Sequence, residues 1–209
     1  MKKLTTFIAI VCFLAVVLPG CQKENNPHPG HNHTEDLRTA MRVLWSDHAL
    51  WTRNVILNII DGTPGTSEAV TRLLKNQEDI GNAIKPYYGD EAGDSLTVLL
   101  KEHITIAADL LIAAKNGNTA GFDTANAAWY ANGEKIAIFL SDANPNWPLA
   151  EWKTMMKDHL DYTLEEAVAR LNGDYAADIV AYDKVYTELM MMADMLTDGI
   201  VKQFPGKFI

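Results

Sequence analysis

The chain has 209 residues, of which 48% are hydrophobic, so it is long and apolar enough for one domain with a sizeable core. Its formal net charge is −9, and without Lys2 and Lys3 there are 16 basic against 27 acidic residues, which excludes nucleic acid as an expected partner and disfavours an anionic membrane surface. Both cysteines, Cys12 and Cys21, lie near the N-terminus, which excludes disulfide and thiolate chemistry from the rest of the chain.

Residues 1–20 predict a lipoprotein signal peptide. Two lysines precede an apolar run at 7–18, and its 12 residues fall well short of the roughly 20 that a membrane-spanning helix needs. The boundary sequence LPGC resembles a bacterial lipobox, in which the cysteine is diacylated and becomes the new N-terminus. We therefore expect Cys21 to be the lipid attachment site and the domain to lie outside the cytoplasm, at the outer membrane if the cell has one. A conventional cleavage site or an uncleaved anchor is the alternative.

Residues 21–35 are polar, contain Pro and Gly and show no periodicity, so they predict a flexible tether behind the lipid. The tether contains three histidines, and a short histidine-rich tract can bind a transition metal. The alternative is a solvated linker with incidental histidines, since ordering a flexible tract for binding costs conformational entropy. The three histidines are His28, His31 and His33.

Downstream of the tether, the sequence lacks strand-like alternation and its apolar residues recur at helical spacing. Glycine-containing turns and prolines divide this part into six segments, because proline lacks the backbone donor that a helix interior needs. The predicted fold class is all-α: residues 36–209 form a six-helix up-down bundle of three repeated helical hairpins, at about 36–88, 91–146 and 148–205. The predicted helices span residues 36–61, 67–86, 91–116, 120–142, 148–172 and 174–203.

An acid–histidine pair recurs in the first helix of each predicted hairpin, with the histidines 55 and 56 residues apart. Each histidine falls on the apolar stripe of its helix, so all three are expected to point into the core. The preceding acid lies about 100° around the helix, which suits a supporting partner of the imidazole better than a ligand of the same ion. The pairs are Asp47-His48, Glu102-His103 and Asp158-His159.

Each histidine is expected to face one polar residue of the second helix of its hairpin. Residues at equal distances from the turn of an antiparallel hairpin lie at the same height, which selects one candidate partner for each histidine. Asn76 and Asn132 begin the similar motifs NQEDI and NGEKI, and Tyr186 occupies the corresponding place in a looser third copy. The three histidines and these three partners are therefore predicted to form one polar layer across the core.

Two functions fit such a layer. The leading one is binding, either of a metal ion, since three neutral imidazoles suit zinc, copper or nickel, or of a small polar ligand. The methionines at 155–156, 190–192 and 195 add thioethers that would select Cu(I), although methionine at helical spacing is more often core filling. The alternative function is a structural or protein-interaction lipoprotein whose polar layer only fixes helix register.

Enzyme signatures are missing from the sequence downstream of the tether. It has no glycine-rich phosphate loop, no G-x-S-x-G elbow, no C-x-x-C and none of the ExxH, HExxH or HxxxH metal motifs. These absences favour a binding or structural protein over an enzyme. A hydrolase that uses one of the histidine–acid pairs is a third alternative, and it would need an open cleft beside the pair.

A family resemblance is carried by the segments LLKNQEDIGNAIKPYYG, HITIAADLLIAAKNGN, WYANGEKIAIFL and MADMLTDGIVKQFPGKF. They resemble a bacterial family of exported all-helical proteins with repeated acid–histidine helices, a family that has no established function. The resemblance covers most of the chain from about Met41 to the C-terminus. It implies an exported bacterial protein with helical repeats, and it transfers no catalytic residue.

Overall fold

Six α-helices build the part of the chain that the computed structural model describes, Asn32–Ile209, and no strand occurs among these residues. The prediction of an all-α domain with six helices is confirmed, and every helix end lies within three residues of its predicted position. The predictions for the signal peptide at 1–20 and for Cys21, His28 and His31 lie outside the described residues. The helices are α1 (His33–Asp61), α2 (Thr66–Tyr88), α3 (Asp90–Lys115), α4 (Thr119–Ala143), α5 (Leu149–Leu171) and α6 (Tyr175–Gln203), followed by a 3₁₀ turn, Pro205–Lys207.

Helix α1 begins earlier than predicted, so the last residues assigned to the tether are helical. Asn32 caps the helix, because its side-chain oxygen accepts a hydrogen bond from the backbone N–H of Glu35 at 3.3 Å. Glu35 and Asp36 also place negative charge in the first turn, where the helix dipole favours it. His33, which was predicted to lie in the tether, is therefore the first residue of α1.

The prediction that Pro86 ends the second helix is wrong. Helix α2 continues through Pro86 to Tyr88 and ends at Gly89, whose φ of 85° suits glycine. A proline removes only one backbone donor, and the following turn is held by ring contacts of its aromatic side chains. Tyr87 stacks on Phe208 with a centroid separation of 5.8 Å.

Aromatic side chains close the end of the bundle at which Tyr88 lies. Trp147 is buried, its ring lies 5.6 Å from that of Tyr88, and its indole N–H donates to the carbonyl of Met195 at 3.1 Å. Gly199 allows this contact, since a Cβ there would collide with the Trp147 indole. Trp147 therefore seals the core rather than lining a cleft.

Consecutive helices pack against one another, and α1 also contacts α3, α5 and α6. The buried apolar side chains form two clusters. The larger one includes Trp129 and Leu189. The smaller one includes Ile56 of α1, Ile104 of α3 and Ala167 of α5, each of which follows the histidine of its own helix. The predicted histidines are thus positioned beside this smaller cluster.

Candidate functional site: a buried histidine layer

The structure brings the three predicted histidines together inside the bundle. His48, His103 and His159 are only 3%, 3% and 4% exposed. The ring centroid of His159 lies 6.0 Å from that of His48 and 6.1 Å from that of His103. Helices α1, α3 and α5 each contribute one imidazole, so the three rings come from alternate helices of the chain. We call these three residues, with Gln77, Asn132 and Glu188, the histidine layer.

His103 is hydrogen-bonded at both ring nitrogens. Its Nδ1–H donates to the side-chain oxygen of Asn132 at 2.9 Å, and its Nε2 accepts from the indole N–H of Trp129 at 3.1 Å. A neutral imidazole offers one donor and one acceptor, so this ring uses its full capacity. The amide nitrogen of Asn132 donates to the Glu102 carboxylate at 3.1 Å, which links the predicted acid to the layer through Asn132.

His48 contacts the predicted Asn76 and also Gln77, the residue that follows it. The amide nitrogen of Gln77 lies 3.2 Å from His48 Nδ1 and also donates to the carbonyl of Leu73 at 2.8 Å. Asn76 is buried next to it, where its amide donates to the carbonyl of Leu44 and its oxygen accepts from Gln77. The predicted acid Asp47 instead pairs with Arg72 at 2.7 Å.

The prediction that Tyr186 faces His159 is wrong. Tyr186 is 38% exposed, and its hydroxyl lies 3.3 Å from that of Ser46. The residue opposite His159 is Glu188, which is 5% exposed and has a carboxylate oxygen 3.3 Å from His159 Nδ1. Neither carboxylate oxygen of Glu188 has a hydrogen-bond partner within the described chain, nor does His159 Nδ1. Asp158 lines a surface groove between α5 and α6.

The spacing of the true partners carries a signal that the sequence analysis missed. Gln77, Asn132 and Glu188 each follow their histidine by 29 residues. Only Asn132 was predicted with this spacing, while Tyr186 stands two residues too early. Two residues correspond to about 200° around a helix, which places Tyr186 and Glu188 on opposite faces of α6. Keeping the spacing of the middle histidine would have identified all three partners.

Burial and mutual repulsion keep two of the imidazoles neutral. Burial, followed by the neighbouring imidazoles of His159 and His103, lowers the pKa of His48 to about 3. Burial and the His159 imidazole likewise lower the pKa of His103 to about 3. Both rings are therefore neutral at physiological pH, each with one donor and one acceptor nitrogen.

An internal cavity of about 30 Å³ adjoins the three imidazoles. This volume is enough for two water molecules or for a solute of two or three heavy atoms. Apart from the imidazoles its walls are mainly apolar, with Ile104 and Leu111 from α3. The hydroxyl of Thr52 is a polar group in the wall that is buried without a hydrogen-bond partner in the described chain.

The predicted metal ligands do not form a recognisable metal centre. Among the described residues, no group of three or more His, Cys, Asp or Glu side chains is arranged to hold a metal ion. His103 has no ring nitrogen to spare. Met156 and Met192 are buried in the larger apolar cluster, whereas Met191 is exposed. The side chain of His33 lies 3.8 Å from the Asp36 carboxylate at the start of α1.

A second buried polar cluster, which the sequence analysis did not predict, joins α1, α5 and α6. One guanidinium nitrogen of Arg53 lies 2.7 Å from the carboxylates of both Glu166 and Asp178, which are each 1% exposed. Arg170 pairs with Asp61 and lies 3.6 Å from Asp178. Burial raises the pKa of Glu166 to about 7, although Arg53 acts in the opposite direction. We call these five residues the arginine network.

Comparisons with known proteins do not indicate a function for this chain. No family model, curated protein or solved structure matches the chain. Within Asn32–Ile209, every helix is too short or too polar to cross a membrane. The histidine layer and its cavity are therefore the features on which a function can be based.

Proposed function

We propose that the protein is a lipid-tethered, extracytoplasmic protein whose helical domain binds a small polar ligand at the histidine layer. The observation that carries this proposal is that three buried imidazoles line one internal cavity. Buried polar groups normally have hydrogen-bond partners, and unpartnered ones are costly. The hydroxyl of Thr52 is such an unpartnered atom in the cavity wall, and a polar ligand would supply its partner.

The size and charge of the cavity walls favour a neutral ligand of two or three heavy atoms. The low pKa values of His48 and His103 leave these two imidazoles uncharged. A metal ion would need ring nitrogens that are occupied in His103 by Trp129 and Asn132. Very small ligands gain at most about 1.5 kcal/mol per heavy atom, so we expect a dissociation constant on the order of 10 mM for a two-atom probe.

We also propose that the domain is an up-down bundle of three repeated hairpins, α1–α2, α3–α4 and α5–α6. The constant spacing of 29 residues between each histidine and its partner supports a repeat. The packing of each helix on the next one supports the hairpin arrangement. A repeat explains why three equivalent imidazoles converge.

A structural role is the second candidate, and the bonding of His103 favours it. Its ring nitrogens are both satisfied by groups of α4, so this part of the layer needs no ligand. A buried polar contact of this kind can fix the register of two helices. In this case the protein would be a structural or protein-interaction lipoprotein.

Imidazole ¹⁵N NMR of the full chain in nanodiscs tests the binding proposal. Methanol and formamide serve as neutral probes, and Zn²⁺ is titrated into a variant in which His28, His31 and His33 are alanine. Saturable shifts of the three buried imidazoles by a neutral probe are expected. Ala107→Val, which fills the cavity wall, should abolish them, while Ala114→Val in the same helix but outside the cavity should not.

The other outcomes assign the other functions. Stoichiometric Zn²⁺ binding that is lost in His103→Ala would show that the layer binds a metal ion and not a neutral ligand. No response to any probe, together with a large loss of stability in His103→Ala, would leave the structural role.

Metabolic labelling with a fatty acid tests the lipid tether separately. The label should be incorporated into the parent chain and into Cys12→Ser, and it should be absent from Cys21→Ser. Labelling that survives in Cys21→Ser would contradict the proposed attachment site.

A further inference from the structure

The histidine layer has the same partner position in all three helix pairs but not the same chemistry. His48 and His103 face the amides of Gln77 and Asn132, which are neutral. His159 faces the carboxylate of Glu188. Two of the imidazoles therefore have neutral partners, and the third has a partner that can carry charge.

The environment of Glu188 requires a proton close by. Its carboxylate oxygens are buried and accept no hydrogen bond from any described residue, and an isolated buried carboxylate is strongly disfavoured. The nearest titratable group is His159, whose Nδ1 lies 3.3 Å from Glu188. A proton on the imidazole places opposite charges 3.3 Å apart, and opposite charges at this distance in a poorly polarisable core attract strongly.

The contact between His159 and Glu188 determines which ring nitrogen of His159 is available to the rest of the layer. Because Nδ1 faces Glu188, Nε2 is the ring nitrogen that remains for the rest of the layer. His159 lines the cavity, and His48 and His103 lie about 6 Å away from it. An imidazolium is a donor at both nitrogens, so the cavity would gain one ionic donor beside two neutral rings.

We propose that Glu188 holds His159 as an imidazolium whose Nε2–H selects ligands with a hydrogen-bond acceptor, which makes Glu188 the specificity-determining residue of the cavity. This inference rests on the proposed binding function and specifies its ligand class. Hydrogen bonds from a charged donor are roughly twice as strong as neutral ones. The favoured ligand is a neutral molecule of two or three heavy atoms with an acceptor oxygen and a short apolar end that contacts Ile104 and Leu111. Cations, including metal ions, are repelled.

A groove on the outer surface of the bundle also adjoins Glu188. Glu188 lines this groove of about 480 Å³ between α5 and α6, together with Asp158 and Asp183. The buried oxygens of Glu188 face away from solvent, so the groove is not itself the proposed binding site. Asp183 is exposed and offers a matched carboxylate on the same helix that does not contact the layer.

The first test reads the charge of His159 directly in the parent chain. At pH 7, ¹⁵N NMR should show both nitrogens of His159 protonated, while His48 and His103 show neutral tautomers. Glu188→Gln should return His159 to a neutral tautomer, and Asp183→Asn should leave its signals unchanged. A neutral His159 in the parent chain would overturn the inference.

The second test compares methanol, which has an acceptor oxygen, with xenon, which has none and fills apolar cavities. Glu188→Gln should weaken methanol binding about tenfold, the difference between a charged and a neutral donor, and should leave xenon binding unchanged. Retained xenon binding also shows that this variant is folded. Equal methanol affinity in Glu188→Gln and the parent chain would overturn the inference alone. Failure of both probes to bind the parent chain would overturn the proposed function as well.

Discussion

The histidine layer and the arginine network are two buried polar clusters that offset the cost of burying polar groups in different ways. In the network, every charge has an opposite charge within 3.6 Å, as Arg53 shows with Glu166 and Asp178. In the layer, most groups are neutral, and the carboxylate of Glu188 and Nδ1 of His159 have no hydrogen-bond partner in the described chain. The network is closed to further partners and serves the fold. The layer adjoins a cavity whose wall also contains the unpartnered hydroxyl of Thr52, and a binding site requires such a cavity with free polar groups.

The two clusters also respond to pH in opposite directions. Below pH 6.5 the unfolded chain protonates His48 and His103, whereas in the folded chain these two imidazoles stay neutral down to about pH 3, so acid weakens their contribution to stability. Glu166 in the folded network keeps its proton up to about pH 7, whereas the unfolded chain releases it above pH 4.5. Rising pH therefore weakens the contribution of the network.

The largest effect is expected from Arg53→Met. This change leaves Glu166 and Asp178 buried without their shared guanidinium, and breaking a buried ion pair from one side costs about 3–5 kcal/mol. The lower end is expected, because Arg170 remains near Asp178. Urea denaturation measures the free energy of unfolding. Arg42→Met, which removes an exposed pair with Asp194, is the control, and an equal loss in both variants would contradict the closed network.

A smaller loss, about 2 kcal/mol, is expected for His103→Ala. The change opens a cavity and leaves the buried Trp129 indole N–H and the Asn132 amide oxygen without their partner. The same denaturation experiment measures it. A loss below about 1 kcal/mol would show that the layer contributes little to the fold.

The pH dependence of stability should distinguish the two clusters. Each proton that is bound or released on unfolding changes the free energy of unfolding by about 1.4 kcal/mol per pH unit. Between pH 4.5 and 6.5, unfolding binds two protons at His48 and His103 and releases one at Glu166. The net uptake of one proton means that the free energy of unfolding should rise by about 1.4 kcal/mol per pH unit. Glu166→Gln removes the opposing proton and should about double this slope. Denaturation at several pH values measures it. Glu165→Gln, an exposed carboxylate on the same helix, is the control, and identical slopes in both variants would contradict the assignment.

The smallest effect is expected from Tyr186→Phe. The hydroxyl of Tyr186 lies 3.3 Å from that of the half-buried Ser46, outside the layer, so its removal should change stability by less than about 0.5 kcal/mol. It should also leave the ¹⁵N signals of His159 unchanged. A large shift of those signals would place Tyr186 in the layer after all.

Local sequence signals predicted the helices because they act over a few residues. Gly62 ends α1 in a left-handed conformation with φ of 71°, as a turn glycine is expected to do. Pro86 misled the prediction of the end of α2, because the ring contacts of Tyr87 and Tyr88 come from residues more than 50 positions away in sequence. No local pattern reports such contacts.

The sequence by itself determined six helices and three histidines on apolar stripes, since helical periodicity assigns each side chain to a face. Only the tertiary structure decided that Glu188 rather than Tyr186 meets His159, that Arg53 joins two buried carboxylates, and that a cavity adjoins the imidazoles. The physical reason is the rotation of each helix about its own axis. A shift of two residues turns a side chain by about 200°, and packing of the neighbouring helices sets that rotation.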